Sequence, residues 1–285
     1  MEQLKQYEVL QWASLLLEKH YRESRVAEIL LQHYLNVSRS KFYMMMRDPT
    51  PEDIVALFKE AVTKHAISGI PVQHITGVEE FYGREFKVNE DVLIPRPETE
   101  ELVHHIIEAV GDQALTIVDA GTGSGIIAIT LSLELLNAKV YATDISTDAI
   151  KVATDNNDNL QSNVTFLEGD FLQPLIDDDI KVDVIISNPP YIDQREADSM
   201  SDTVKSFDPK IALFAEDDGL AAYKRIIEQG RHIMKDNSMM AFEIGHKQSK
   251  SVTSLIKSTY PNSNTYTIKD INGKDRIISV EIGGE

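Results

Sequence analysis

A β-type run, Leu115-Thr116-Ile117-Val118-Asp119, passes without interruption into Ala120-Gly121-Thr122-Gly123-Ser124-Gly125 and then into an apolar helical stretch. Glycines let a backbone turn tightly and approach a ligand where a Cβ would clash. A strand, a glycine turn and a helix form a βα unit, which buries its apolar faces only inside a helix-covered sheet. The remaining sequence repeats that alternation. Strands are predicted at Leu115–Asp119, Lys139–Thr143, Val164–Leu167, Val182–Asn188 and Met239–Ile244, and helices at Ser124–Leu136, Thr147–Leu160, Leu220–Met234 and Lys247–Ser258. Two more strands, Thr265–Lys269 and Arg276–Glu281, flank the turn Asn272-Gly273. The pattern is that of an α/β domain with a mostly parallel seven-stranded sheet closed by an antiparallel C-terminal hairpin.

Residues before about 70 read differently. Leu4, Val9, Trp12, Leu15 and Leu16 recur at three- and four-residue spacings, as one buried helix face requires. Ser24 is placed to cap a second helix carrying Val26, Ile29, Leu30 and Leu35, and Ser38 a third that ends before Pro49. Thr50-Pro51-Glu52-Asp53 reads as an N-cap, a proline at the first helical position and two acids facing the helix dipole, with Gly69 ending that fourth helix. A small N-terminal helical bundle is expected over 1–70. Residues 71–97, punctuated by Pro71, Gly77, Gly83, Pro95 and Pro97, are expected to form a β-hairpin linker, followed by the main domain over 98–285.

Charge limits the partners. Lys and Arg number 28 against 46 Asp and Glu, for a net of -18. Residues 1–80 hold 9 basic and 11 acidic side chains, so nearly all the excess, a net of -16, lies beyond them. Nucleic-acid affinity draws on phosphate neutralisation, so direct nucleic-acid binding is not expected of an acidic chain without a basic run. No apolar run reaches the ~18 residues of a membrane helix, and MEQLKQYEVLQW lacks a basic n-region and a small-residue cleavage site, so no targeting segment is read. Zero cysteines exclude disulfides and thiolate chemistry.

The glycine loop is not the dinucleotide fingerprint, because Ile126 stands where a third spaced glycine is needed, and no P-loop lysine follows. Asp144 closes the next strand, where a carboxylate can accept from both hydroxyls of a ribose. The D-x-G-x-G-x-G form suits a nucleoside with a short amino-acid tail, as in S-adenosylmethionine; a plain tight βα turn is the bland alternative.

The strand at Val182 ends in Asn188-Pro189-Pro190-Tyr191, at the carboxyl edge where open α/β sheets bind ligands. Prolines rigidify the chain and remove donors, so the Asn188 side-chain oxygen and the Pro189 carbonyl become fixed acceptors. Two such acceptors match the two hydrogens of a planar NH₂ group. Holding both N–H bonds directs the nitrogen lone pair at an electrophilic methyl and favours the pyramidal transition state. Tyr191 is placed to pack on the planar group. A rigid post-strand turn is the alternative.

These motifs, with Ile94-Pro95-Arg96-Pro97-Glu98-Thr99-Glu100, Gln73-His74-Ile75-Thr76-Gly77, Phe81-Tyr82-Gly83, Glu243-Ile244-Gly245 and Asp275-Arg276, resemble those of the release factor glutamine methyltransferases, the HemK/PrmC family, over about residues 70–282. The resemblance implies a Rossmann-like class I S-adenosylmethionine-dependent methyltransferase fold. It also implies methyl transfer to the side-chain amide of the glutamine in the Gly-Gly-Gln motif of peptide chain release factors. Carried over by motif, Gly121, Thr122, Gly123, Ser124, Gly125, Asp144, Phe171 and Asn188 hold the cofactor. Asn188, Pro189, Pro190 and Tyr191 hold the glutamine amide, with Asn188, Pro189 and Tyr191 acting in catalysis. At Phe171 the family pattern has a tryptophan; phenylalanine still covers an adenine but donates no hydrogen bond. The segment 1–70 resembles the family in layout more than in residues and is expected to dock the release factor. A cytoplasmic monomer is expected.

Other features carry less. Met44-Met45-Met46 is read as part of a helix core, Asp177-Asp178-Asp179 as a solvated loop and Ser38-Arg39-Ser40-Lys41 as a helix start. The histidines show no ligand spacing, so no metal is expected. Arg96 and Glu98 fit either a lid over the methyl donor or a rigid linker. A glutamine methyltransferase of a ribosomal protein, a DNA adenine-N6 methyltransferase, which would need a basic recognition region, and a non-catalytic cofactor-binding adaptor are the competing readings.

Overall fold

The structure is a computed structural model that describes residues 3–195 and 202–283. Met1 and Glu2, on which the reading of the amino terminus partly rests, lie outside the described residues. The chain divides into two compact units: residues through Val78 with a short segment ending at Phe207, and the remainder from Glu79.

In the first unit, α1 (Gln6–Lys19), α2 (Arg25–Leu35), α3 (Arg39–Met44), α4 (Glu52–Ser68) and α5 (Val72–Thr76) surround one apolar core. The phase of α1 differs from expectation. Val9, Leu10, Ala13 and Leu17 are buried, Trp12 and Leu16 half-buried, and Leu15 is 61% exposed, because the inward stripe is centred one position away. In α2 the buried set is Val26, Ala27, Leu30 and Leu31, and Ile29 is exposed. Ser24 occupies the N-cap position but makes no capping bond, its backbone being already helical. Ser38 does cap α3, accepting from the Lys41 N–H at 3.4 Å. Helix α4 begins one residue later than expected, with Pro51 at the N-cap, Glu52 and Asp53 in the first turn, and Gly69 closing it at φ 73°. Only part of the methionine run joins the core: Met46 packs against it, while α3 buries only Phe42 and Met44 is 84% exposed.

The segment 71–97 is not one linker. Val72 and Ile75 of α5 pack into the helical core. The hairpin β1 (Val78–Phe81) and β2 (Arg84–Lys87) buries Phe81 and Phe86 in the sheet unit's core, edge to face at 6.1 Å. Its two-residue turn, Tyr82 at φ 51° and Gly83 at φ 71°, has both central residues left-handed, matching the twist of a tight hairpin.

The sheet unit continues through α6 (Pro97–Val110), β3 (Thr116–Ala120), α7 (Ile126–Glu134), β4 (Lys139–Asp144), α8 (Thr147–Leu160), β5 (Val164–Glu168), α9 (Gln173–Asp177) and β6 (Val182–Ser187). After α10 (Asp202–Phe207), which belongs to the first unit, the sheet unit resumes with the short helix α11 (Lys210–Leu213), the turn α12 (Glu216–Gly219), α13 (Ala221–Ile233), β7 (Met234–Glu243), α14 (Ser249–Thr259), β8 (Asn264–Lys269) and β9 (Asp275–Ile282). The strand order is β5-β4-β3-β6-β7-β9-β8. The first five are parallel, and β9 runs antiparallel to both neighbours. Along β3 and β6, alternate residues face opposite cores: Ile117, Val184 and Ile186 one, Val118 and Ile185 the other. Strand β7 starts earlier than expected, Val182 pairing with Met234 and Val184 with Met239, so the polar Lys235-Asp236-Asn237 lies in a register shift. This is the class I S-adenosylmethionine-dependent methyltransferase fold. The order in which strands are added reverses between the parallel strands β3 and β6, and such a switch point opens a crevice at the carboxyl ends of the strands.

Candidate active site

Both predicted motifs arrive at that crevice, the glycine loop after β3 and Asn188 after β6. Their carrier strands pair directly, Asp119 opposite Ile186, and the Ser187 hydroxyl donates to the Ala120 carbonyl at 2.5 Å. The loop is fixed by its own backbone. Gly121 and Thr122 N–H both donate to the Thr143 carbonyl at 2.9 Å, and Gly121 and Gly123 take φ 77° and 55°. Thr122 Oγ1 donates to Asp119 Oδ2 at 2.6 Å. Asp119 is fully buried, and burial pushes its carboxyl up to about 7, against hydrogen bonds from Thr122 and the Ala128 backbone.

Asp144 accepts from Gly123 N–H at 2.8 Å and from Ser146 N–H at 2.9 Å. It therefore ties the loop down and still lines the cavity, keeping acceptor capacity for a hydroxyl. Burial raises its pKa while those N–H groups oppose the rise. The Asp144 carbonyl accepts from Gly169 N–H at 2.8 Å, which sets Phe171 in place. Phe171 sits at φ 48°, and its ring edge would lie 3.6 Å from a Cβ on Gly121. Asp170 pairs with Arg225, and Gln229 braces both sides of Phe171 by donating to the Asp170 carbonyl at 3.2 Å and accepting from Leu172 N–H at 2.8 Å.

A cavity of about 380 Å³ opens here, within the range of small-molecule sites. Gly121, Thr122, Gly123 and Ser124 line one wall, Asp144 and Phe171 another, and Asn188 and Pro190 a third. Gly125, Pro189 and Tyr191 are not among the lining residues. Gly125 has a packing reason instead: at φ 82° a Cβ there would lie 2.9 Å from Ile129 Cδ1 and 3.1 Å from Ala153 Cβ. Tyr191 packs against the core of Tyr223 and Phe242. Burial pushes its phenol up to about 12, and its carbonyl accepts from Gln248 Nε2 at 3.0 Å.

Asn188 has a partner that sequence reading missed. Its Nδ2 donates to Thr99 Oγ1 at 3.2 Å, and Thr99 Oγ1 donates to Glu243 Oε2 at 2.7 Å. Glu243 is 2% exposed, and burial pushes its carboxyl up to about 7; Thr99, Arg276 and Arg96 favour ionisation and Glu98 opposes it. An acid ending an apolar strand was the available signal. Asn156 was missed too. Buried, it donates to the Ser124 carbonyl at 2.9 Å and exchanges bonds with the Lys87 backbone, joining β2 to the glycine loop. Arg96 pairs with buried Asp208 at 2.9 Å.

The site fits S-adenosylmethionine. A carboxylate with free lone pairs suits a ribose, Phe171 and Ile145 offer apolar surface to a base, and the bare backbone at Gly121 and Gly123 admits close approach. Fold and site together define a class I S-adenosylmethionine-dependent methyltransferase.

Family models agree. The PrmC N-terminal domain matches residues 8–77 and the methyltransferase small domain residues 98–207. The release factor glutamine methyltransferase of Bacillus subtilis strain 168 is 46% identical over 277 residues, covering 95% of this chain and 96% of the relative. That of Bacillus anthracis is 42% identical over 280 residues, covering 97% and 99%. A methyltransferase structure from Pyrococcus furiosus, 17% identical, shares the fold at a TM-score of 0.53 over 72% of this chain and 91% of its own. The chain belongs to the release factor glutamine methyltransferase family. Among the described residues, no helix is long and apolar enough to cross a membrane.

Proposed function

We propose that the protein methylates the side-chain amide nitrogen of the glutamine in the Gly-Gly-Gln motif of peptide chain release factors. The observation that carries this reading is that Asn188 and the glycine loop line one cavity at the carboxyl edge of the sheet. S-adenosylmethionine, when bound, supplies an electrophilic methyl on a cationic sulfur. Gly121, Thr122, Gly123, Ser124, Asp144 and Phe171 hold that cofactor, Asp144 by its remaining lone pairs, while Gly125 lets the loop pack against Ile129 and Ala153. Asn188 Oδ1 and the Pro189 carbonyl accept the two amide hydrogens and orient the nitrogen lone pair. Holding both reactants makes the displacement effectively unimolecular, and the amide proton leaves to solvent. Incubation of purified release factor with this protein and S-adenosylmethionine, followed by peptide mass spectrometry, tests the reading. One methyl on the Gly-Gly-Gln peptide is expected; an unmodified glutamine refutes it.

We also take residues 1–70 as the docking domain and 98–285 as the methyltransferase domain of a cytoplasmic monomer that does not bind nucleic acid directly. Support comes from charge: residues 1–80 are nearly neutral while the remainder carries -16. Docking raises the effective concentration of the glutamine loop. Replacing exposed Tyr21 and Met44 by serine is expected to slow methylation of the intact factor and leave a short Gly-Gly-Gln peptide unaffected. Unchanged rates on the intact factor refute docking through those residues.

A further inference from the structure

An asparagine side chain presents an oxygen or an NH₂ group depending on a rotation about its terminal bond, and the two orientations have nearly the same shape. Only one of them accepts the hydrogens of a substrate amide. Something must choose between them. Thr99 stands in the first turn of α6, 1% exposed, between Asn188 and Glu243, which lie 89 and 144 residues further along the chain. Its hydroxyl has a single hydrogen, and that hydrogen goes to Glu243 Oε2 at 2.7 Å. An ionised carboxylate has no hydrogen to give back. Toward Asn188 the hydroxyl therefore offers lone pairs only, and at 3.2 Å it takes a hydrogen from Nδ2. The opposite orientation would set two acceptors face to face in a buried site, with the penalty of an unpaired polar group.

We infer that Thr99, itself held by Glu243, is a positioning residue that locks the Asn188 amide with its oxygen toward the cavity. This rests on the reading of Asn188 as acceptor for the substrate amide. Glu243 supplies the direction of the chain of bonds, Thr99 transmits it, and the substrate meets an acceptor already aimed. The lock also sets specificity, since a fixed acceptor repels a carboxylate where it welcomes an amide.

Thr99→Val keeps the shape and removes the hydroxyl; Thr99→Ser keeps the hydroxyl; Thr99→Ala is a second variant if valine impairs folding by circular dichroism. Assays belong at pH 8, above the value of about 7 to which burial raises Glu243, so that the ionised form prevails. With a Gly-Gly-Gln peptide, Thr99→Val and Thr99→Ala are expected to lower kcat by about tenfold, the scale of one net hydrogen bond. The calorimetric affinity for S-adenosylmethionine should stay the same. Thr99→Ser should restore wild-type kcat. A Gly-Gly-Glu peptide should inhibit the valine variant more strongly than the wild type, because the freed amide can turn its NH₂ to the carboxylate. Wild-type kcat in Thr99→Val and Thr99→Ala, or a serine variant as slow as valine, overturns the lock. Asn188→Ala separates the two levels of the argument: if it too turns over at the wild-type rate, the role of Asn188 falls first.

Discussion

Asp119 offers a quantitative test of how the glycine loop is held. Its carboxyl is fully buried and titrates at about 7, against 3.8 for an ordinary aspartate, and burial is the main cause. The folded state therefore binds a proton that the unfolded state has lost, throughout the interval between those values. Stability from this group is fully present below the unfolded value and is lost as pH rises through the folded one. At 1.36 kcal/mol per pH unit, it contributes about 3 kcal/mol at pH 5 and almost nothing at pH 8. Asp119→Asn keeps an oxygen for the Thr122 hydroxyl and removes the titration. The stability of the variant relative to wild type is then expected to rise by about 2–3 kcal/mol in favour of asparagine between pH 5 and pH 8. Glu243, raised in the same way, titrates in both proteins and cancels in the difference. Urea unfolding followed by far-UV circular dichroism measures this. Fluorescence of Trp12, the chain's one tryptophan, separately reports the helical unit. A stability difference that stays constant from pH 5 to pH 8 would show that Asp119 is not protonated in the fold.

Three other substitutions probe separate parts of the site. Asn188→Ala is expected to lower methyl transfer at least ~100-fold, the cost of one preorganised polar contact, with cofactor affinity measured by calorimetry falling far less; near-wild-type turnover would contradict the acceptor role. Asp144→Ala should chiefly weaken S-adenosylmethionine, since a carboxylate that bonds ribose hydroxyls acts in ground and transition states alike. It also frees the Gly123 and Ser146 N–H groups, so an unaltered affinity by calorimetry would rule out both roles. Gly125→Ala should destabilise the sheet unit by about 2–4 kcal/mol, combining left-handed backbone strain with overpacking against Ile129 and Ala153; a urea midpoint equal to wild type would show that α7 and α8 can separate at little cost.

What could be read from the sequence was what is local. The strands and helices of the sheet unit declare themselves by period. The loop Gly121–Gly125 declares itself by φ requirements, and Asn188-Pro189-Pro190-Tyr191 by its position after an apolar run. Rotational phase was less legible. In α1 the spacing admits two adjacent stripes, and tertiary packing chose Val9, Leu10, Ala13 and Leu17 over Leu15. Ser24 has the right side chain for a cap but the wrong backbone. The bond from Asn156 to the glycine loop, like that from Glu243 to Thr99, joins residues far apart in the chain, and no local pattern encodes such a pairing. The hairpin after Gly77 looked like a linker because its four-residue strands are short; burial of Phe81 and Phe86 made it part of the core.

Asp119 and Glu243 share a design that follows from these contacts. Both are almost wholly buried carboxylates pushed up to about 7, so at neutral pH and above each costs the fold stability. Each accepts from one threonine hydroxyl, Thr122 at 2.6 Å and Thr99 at 2.7 Å, and each of those threonines lines the cavity. An apolar residue in either place would relieve the desolvation penalty, yet it would leave the threonine free to turn its single hydrogen elsewhere. Once ionised, above about pH 7, each carboxylate can only accept, so it determines the direction of every hydrogen bond that leads away from it. Thr122 is thereby fixed in the glycine loop, and Thr99 beneath Asn188. The stability lost at these two positions is the cost of having the cofactor wall and the amide acceptor oriented before either ligand arrives, which is where preorganised sites gain their rate.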